Sequence, residues 1–219
     1  MLKVGLFDLD GTLYTRDSGL LQEIGRRIQA WLCDHLGLTG DEAARLRRDY
    51  FTRYGTTLNG LIAEGEVDTR AYLTFVHAIP VEAYLKPDTA LAAMLAALPL
   101  RRVIYTNATT EYSWRVLRAL GVADQFERVI SIEDTDLRNK LYRDAYERAL
   151  TLLGAEGNEC IMVEDSARNL QAAKALGMTT VLVRQDGSRA TTSPSDGSVD
   201  YVVENLSELG QVVQSLLNK

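Results

Sequence analysis

A chain of 219 residues, 46% hydrophobic and 25% charged, can form one large domain or a core domain with an insert. Its net charge of −6 and pI of about 5.1 argue against a nucleic-acid polymer or an anionic membrane as main partner, but not against a small phosphorylated molecule. No apolar run is long enough to span a bilayer, no signal-type segment precedes the first strand, and Cys33 and Cys160 form neither a disulfide framework nor a metal pattern, so a cytoplasmic location is expected.

Val4 to Phe7 is a short apolar run ending in Asp8 and Asp10, with Gly11 behind them. It reads as a buried parallel strand whose carboxyl end lies where open α/β sheets bind ligands. Strand alternation puts both aspartates on one side, where like charges repel unless a divalent cation offsets them. A strand end turned to solvent is the plainer alternative. A polar stretch, Tyr14 to Gly19, follows. Leu20, Leu21, Ile24, Ile28, Trp31, Leu32 and Leu36 then recur at helical spacing up to Gly37. Thr39 to Glu42 has the form of a capping box and opens a second helix. Leu58, Leu61 and Ile62 mark a third, and Tyr72, Leu73, Phe75 and Val76 a fourth. Residues 16 to 84 therefore read as an inserted helical module.

Alternation of helix and strand resumes at Leu85. Asp88 can cap an alanine-rich helix through Leu98. Arg101 to Tyr105 is a strand ending in Thr106-Asn107-Ala108, and a helix from about Glu111 closes at Gly121. Val129 to Ile132, Cys160 to Val163 and Thr179 to Val183 are further strands. Between them lie helices Tyr142–Leu153 and Asn169–Leu176. Gln185 to Ser198 reads as a mobile surface loop and Tyr201 to Val203 as an edge strand. Asn205 to Glu208 can box-cap a last helix ending near Leu217.

Strands or their following loops thus end in Asp8/Asp10, Thr106/Asn107, Lys140 and Glu164/Asp165, and a parallel sheet with right-handed crossovers carries such ends to one edge. Carboxylates there suit Mg²⁺, and a hydroxyl, backbone N–H groups and an ammonium suit a phosphate. Thr106 alone could equally be a helix cap, and Lys140 alone a surface lysine. Arg47, Tyr50 and Tyr54 read as a solvated face with a core stripe, or as groups reaching down to a substrate.

In this order the motifs resemble those of the haloacid dehalogenase superfamily. Phe7-Asp8-Leu9-Asp10-Gly11-Thr12-Leu13, Val103 to Asn107, Lys140, and Val163-Glu164-Asp165-Ser166 followed by Asn169 match its four motifs. The resemblance implies a Rossmann-like α/β core, mainly parallel with helices on both faces, from residues 1–15 and 85–219, plus an all-helical cap from 16–84. It implies Asp8 as nucleophile and Mg²⁺ ligand, and Asp10 as general acid/base and a metal ligand through its carbonyl. It also implies Thr106, Asn107 and Ala108 as phosphate-binding, Lys140 as neutralising Asp8 and phosphate, and Asp165 and Glu164 as metal ligands. The expected reaction is hydrolysis of a small phosphorylated metabolite through an aspartyl-phosphate, by a monomer or weak homodimer.

Tyr54 to Leu61, Tyr84 to Asp88 and Tyr105 to Ala108 further resemble the pyrimidine 5′-nucleotidase-like branch, which implies a nucleoside 5′-monophosphate as substrate. A sugar phosphate or phosphoglycolate is the alternative, and a catalytically silent binding protein a more distant one. Leu141 and Tyr112 depart from that branch, which has proline and histidine at these places.

Overall fold

The computed structural model describes residues 1–65, 67–184 and 197–218. Six strands form one sheet in the order β3-β2-β1-β4-β5-β6, where β1 is Val4–Phe7, β2 Arg101–Tyr105, β3 Arg128–Ile130, β4 Cys160–Glu164, β5 Thr179–Val183 and β6 Tyr201–Val203. Every neighbouring pair is parallel. Burial on both faces explains the largely apolar character of β1, β4 and the second half of β5. Phe7, Ile104, Ile161 and Val163 pack on one face, under α5 (Thr89–Ala97), α6 (Thr110–Ala119) and α9 (Leu209–Leu217). Val4, Leu6, Val103, Tyr105 and Met162 pack on the other, under α7 (Arg143–Leu153) and α8 (Ala167–Ala175). The strand order reverses between β1 and β4, and a crevice opens there at the carboxyl ends.

Residues 16–84 hold α1 (Leu20–Leu36), α2 (Gly40–Tyr54), α3 (Thr57–Glu64), α4 (Thr69–His77) and two 3-10 turns. Gly37 ends α1 in the left-handed conformation, and Thr39 and Glu42 make the expected reciprocal capping box on α2. Trp31, Leu32, Tyr50, Leu58, Leu61, Tyr72 and Val76 give this segment its own apolar cluster, which Ile132 joins from the loop after β3.

Some local expectations change. β1 ends at Phe7, so Asp8 and Asp10 lie in the turn beyond it, and strand alternation is not what aims them. Helix α6 is capped by Thr109, whose hydroxyl accepts the Tyr112 N–H at 3.4 Å, and this frees Thr106 from the capping role. Asn205 caps a 3-10 turn, Leu206–Glu208, and α9 starts only at Leu209. The loop expected from Gln185 lies, through residue 196, outside the described residues.

Candidate active site

The Asp8 amide donates to Val163 O at 2.9 Å, which carries the β1–β4 pairing one residue past the strand and fixes Asp8 beside the end of β4. Its carboxylate meets Lys140, whose Nζ donates to Asp8 Oδ1 and, at 2.9 Å, to Glu164 Oε2. Lys140 is 1% exposed and reaches the site from the loop before α7, where its main-chain N–H donates to Asn107 Oδ1 at 3.1 Å. Thr12 Oγ1 donates to Asp8 Oδ2 at 3.2 Å, and Ser166 N donates to Glu164 Oε1 at 3.1 Å. Burial, reinforced by the neighbouring Glu164 charge, pushes Asp8 up to about 6. Burial also pushes Glu164 up to about 7, against the pull of Lys140. The ammonium resists the cost of its own burial, and its affinity for a proton is raised by Asp8 and Glu164.

Asp165 joins them at the start of the turn into α8. A Cβ on Gly11, which sits at φ 89°, would lie 2.5 Å from Asp165 Oδ2, so only glycine lets the two loops meet this closely. Arg16 Nη2 donates to the same oxygen at 2.6 Å. Burial and the Asp8 charge raise Asp165 as well. One carboxylate oxygen each from Asp8, Glu164 and Asp165 falls within 4.8 Å of the others. Three mutually repelling oxygen donors, compensated by one buried ammonium and one exposed guanidinium, fit a hard divalent cation.

Asp10 is handled separately. Its Oδ1 accepts from the hydroxyls of Tyr14 and, at 3.1 Å, Tyr112. Oδ2 has no hydrogen bond among the described residues. Burial, opposed by the Tyr14 hydrogen bond, pushes Asp10 up to about 6. Thr106 is buried at the end of β2 and accepts the Ala108 N–H on Oγ1 at 3.0 Å, while Asn107 fixes the Lys140 backbone. The structure therefore brings all of Asp8, Asp10, Thr106, Asn107, Ala108, Lys140, Glu164 and Asp165 to one crevice. Ala108 differs from expectation in that its N–H already has a partner.

Above them the helical segment closes a cavity of about 950 Å³. From the helical segment its lining includes Arg47, Thr52, Tyr72 and His77 with Ile24, Ile28, Leu58 and Val76, and Ile132 joins them from the loop after β3. Tyr50 packs on Gly60 instead, and Tyr54 turns to Glu64 at the surface, so neither aromatic lines the cavity. His77 is buried, with Nδ1 3.0 Å from Leu73 O and its ring 4.7 Å from that of Tyr112.

Two residues escaped the sequence reading. Tyr14 was grouped with a polar stretch, although it is 5% exposed and holds Asp10. The signal was available: an aromatic four residues past an acid in a tight turn can fold back on it. Asn139 is buried next to Lys140, and its Nδ2 donates at 2.6 Å to both Tyr54 O and Asn59 Oδ1. No local pattern announces a contact with a residue eighty positions away.

A doubly wound parallel sheet with crowded acids and a buried lysine at its switch point, under a helical insert, defines an α/β protein whose crevice could hold a divalent cation. A family model described as haloacid dehalogenase-like hydrolase matches residues 2–177, and the chain belongs to that family. The glyceraldehyde 3-phosphate phosphatase of Methanocaldococcus jannaschii is 29% identical over 99% of both chains. Phosphate metabolism protein 8 of Saccharomyces cerevisiae is 31% identical over 58% of this chain, and the match spans only 42% of the yeast protein. A HAD phosphatase from Thermococcus onnurineus superposes with a TM-score of 0.63 at 23% identity, over 97% of this chain and 98% of that one. No helix among the described residues is long and apolar enough to cross a membrane.

Proposed function

We propose that the chain is a Mg²⁺-dependent phosphomonoester hydrolase acting on a small phosphorylated metabolite through an aspartyl-phosphate on Asp8. What carries this reading is the division of labour between two neighbouring carboxylates. Asp8 is buried against Lys140, whereas Asp10 is held by two tyrosine hydroxyls on one oxygen only. Asp8, Asp165 and Glu164, with the Asp10 carbonyl, would hold Mg²⁺, which would supply charge neutralisation for the phosphoryl group. Asp8 attacks phosphorus. Asp10, raised to about 6, can carry a proton near neutral pH and release it from Oδ2 to the leaving oxygen, then take one from the water that hydrolyses the aspartyl-phosphate. Lys140 offsets the repulsion between Asp8 and the incoming phosphate. Thr106 and Asn107 would supply donors to the phosphoryl oxygens, and the Ala108 N–H would join them only by leaving Thr106 Oγ1.

Residues 16–84 act in this reading as the cap that encloses the substrate. A nucleoside 5′-monophosphate has less support than a compact ester of the sugar-phosphate type. The full-length relative described above is named for a triose phosphate, and Tyr50 and Tyr54 do not line the cavity, although Tyr72 does. The test is hydrolysis of an aryl phosphate with and without Mg²⁺, by the wild type and by Asp8→Asn. Turnover that needs Mg²⁺ and disappears in a folded Asp8→Asn protein is expected. A folded wild type with no turnover in either condition would sink the proposal.

A further inference from the structure

Arg47 is the cationic group in the roof that the reaction leaves unused. Its side chain is half-buried, lines the same cavity as the acids, stands near Tyr72, and makes one long hydrogen bond, Nη1 to Gly25 O at 3.4 Å. No carboxylate of a described residue lies within 4.0 Å of it, whereas Arg26 is paired with Glu23 and Arg53 with Asp49 and Glu64. Of the other arginines bordering the cavity, Arg16 is on Asp165, Arg168 is bound to the carbonyls of Phe51 and Thr52, and Arg48 is exposed.

The neighbouring helix makes room for this guanidinium. Gly25 is a buried glycine inside α1, where alanine would ordinarily be the better helix former, and a Cβ there would lie 2.8 Å from both terminal nitrogens of Arg47. A methyl at this position would push the guanidinium tip from its present place, where it borders a cavity with both apolar and polar walls. An ion so placed is costly without a counter-ion, and a planar guanidinium matches a carboxylate or phosphate with two parallel hydrogen bonds.

We infer that Arg47 forms a second anion subsite in the roof of the cavity, and that the substrate is a phosphomonoester carrying a further carboxylate or phosphate group. This rests on the phosphomonoesterase reading and narrows its substrate class. The phosphate to be cleaved sits on the floor and the second anion meets Arg47, away from the acids that would repel it. A substrate neutral beyond its phosphate leaves the guanidinium unpaired, which is the situation in which a polar site discriminates best.

Three esters of matched length separate the possibilities: 3-phosphoglycerate, with a carboxylate; 1,3-propanediol bisphosphate, with a second phosphate; and glycerol 3-phosphate, with hydroxyls only. The quantity read is the ratio of kcat/KM for each anionic ester to that for glycerol 3-phosphate. In the wild type one or both ratios should exceed unity by about 10- to 100-fold, the range of a charge-assisted pair, and whichever is larger identifies the anion. Arg47→Met should bring that ratio to near unity, and Arg47→Lys should keep part of it. Gly25→Ala, which leaves the arginine but crowds both its nitrogens, should lower the ratio too. A wild type that hydrolyses the esters without preference, or an Arg47→Met variant that keeps the wild-type ratio, overturns the subsite and leaves the phosphatase reading standing. No turnover of any ester or of aryl phosphate overturns both.

Discussion

Lys140→Met is the perturbation that most directly tests the electrostatics of the site. Methionine keeps much of the side chain's length and apolar stem but removes the ammonium that Asp8 and Glu164 share. Both carboxylates are almost fully buried and, even with the lysine present, hold protons up to about 6 and 7. Taking one partner from a buried ion pair costs about 3–5 kcal/mol, because the remaining charge stays desolvated. The pair here has two carboxylates on one ammonium, so Lys140→Met at pH 7.5 without divalent cation should fall in the upper part of that range. Glu164→Gln alone should cost less, since it leaves the Asp8–Lys140 contact intact. The double variant should be more stable than the sum of the singles predicts, by about 1–3 kcal/mol. The pH dependence has a definite sign. The attraction requires ionised carboxylates, so the gap between wild type and Lys140→Met narrows as the pH falls through 7 and 6 and the two acids take up protons. Urea denaturation at pH 7.5 and 5 measures all of this. A loss below about 1 kcal/mol at pH 7.5, or strict additivity, would refute the claim that one buried ammonium holds these acids together.

Gly11→Ala places a methyl 2.5 Å from Asp165 Oδ2 at a positive φ. Backbone strain of about 1–2 kcal/mol should appear in urea denaturation, with Mg²⁺ affinity, measured by calorimetry, weakened as Asp165 is displaced. Burial holds His77 down at about 4, so the unfolded chain binds a proton below pH 6.5 that the folded chain refuses until near 4. Stability is therefore lost as pH falls across that window, by about 1.4 kcal/mol per pH unit at most, and His77→Gln should flatten this part of the profile; an unchanged slope would mean that His77 is not the cause. Asn139→Ala removes two 2.6 Å hydrogen bonds to the helical segment, taking this donor from the Tyr54 carbonyl while Asn59 Oδ1 keeps the Thr56 hydroxyl. A loss of about 2 kcal/mol is expected, read as a shift in the urea midpoint.

The α/β core was legible because each level of the sequence agreed with the next. Apolar runs of strand length alternate with helices closed by Gly121, Gly154 and Gly177, so a parallel sheet with its ligand-bearing ends on one edge follows from the sequence, whereas the strand order does not. The helical segment was legible for the same reason, down to the capping box on α2. What escaped was the set of contacts made by tertiary closure. Tyr14 and Tyr112 lie far apart in the chain and meet on Asp10 only because the β1 turn and α6 are packed together. Thr106 looked as much a cap as a ligand until Thr109 took the cap. The direction of cap side chains could not be read either. Arg47, Tyr50 and Tyr54 share one helix, yet packing against Gly25, Gly60 and Glu64 sends them to three different places.

Beside the side-chain contacts Arg16–Asp165 and Asn139–Asn59, three ties between the helical segment and the core share one chemical trait. Asn139 holds the carbonyl of Tyr54, Arg168 those of Phe51 and Thr52, and Arg115 those of His77 and Ile79. Each tie grips main chain. Main-chain carbonyls are present whatever residue occupies the position, so the roof can exchange side chains without losing its moorings. A library that varies positions 47, 51 and 52 should therefore retain the docked arrangement while changing what the roof accepts. The same joint that fixes the roof over the acids leaves its chemistry open to replacement, which makes this scaffold a base for redirecting hydrolysis to new esters.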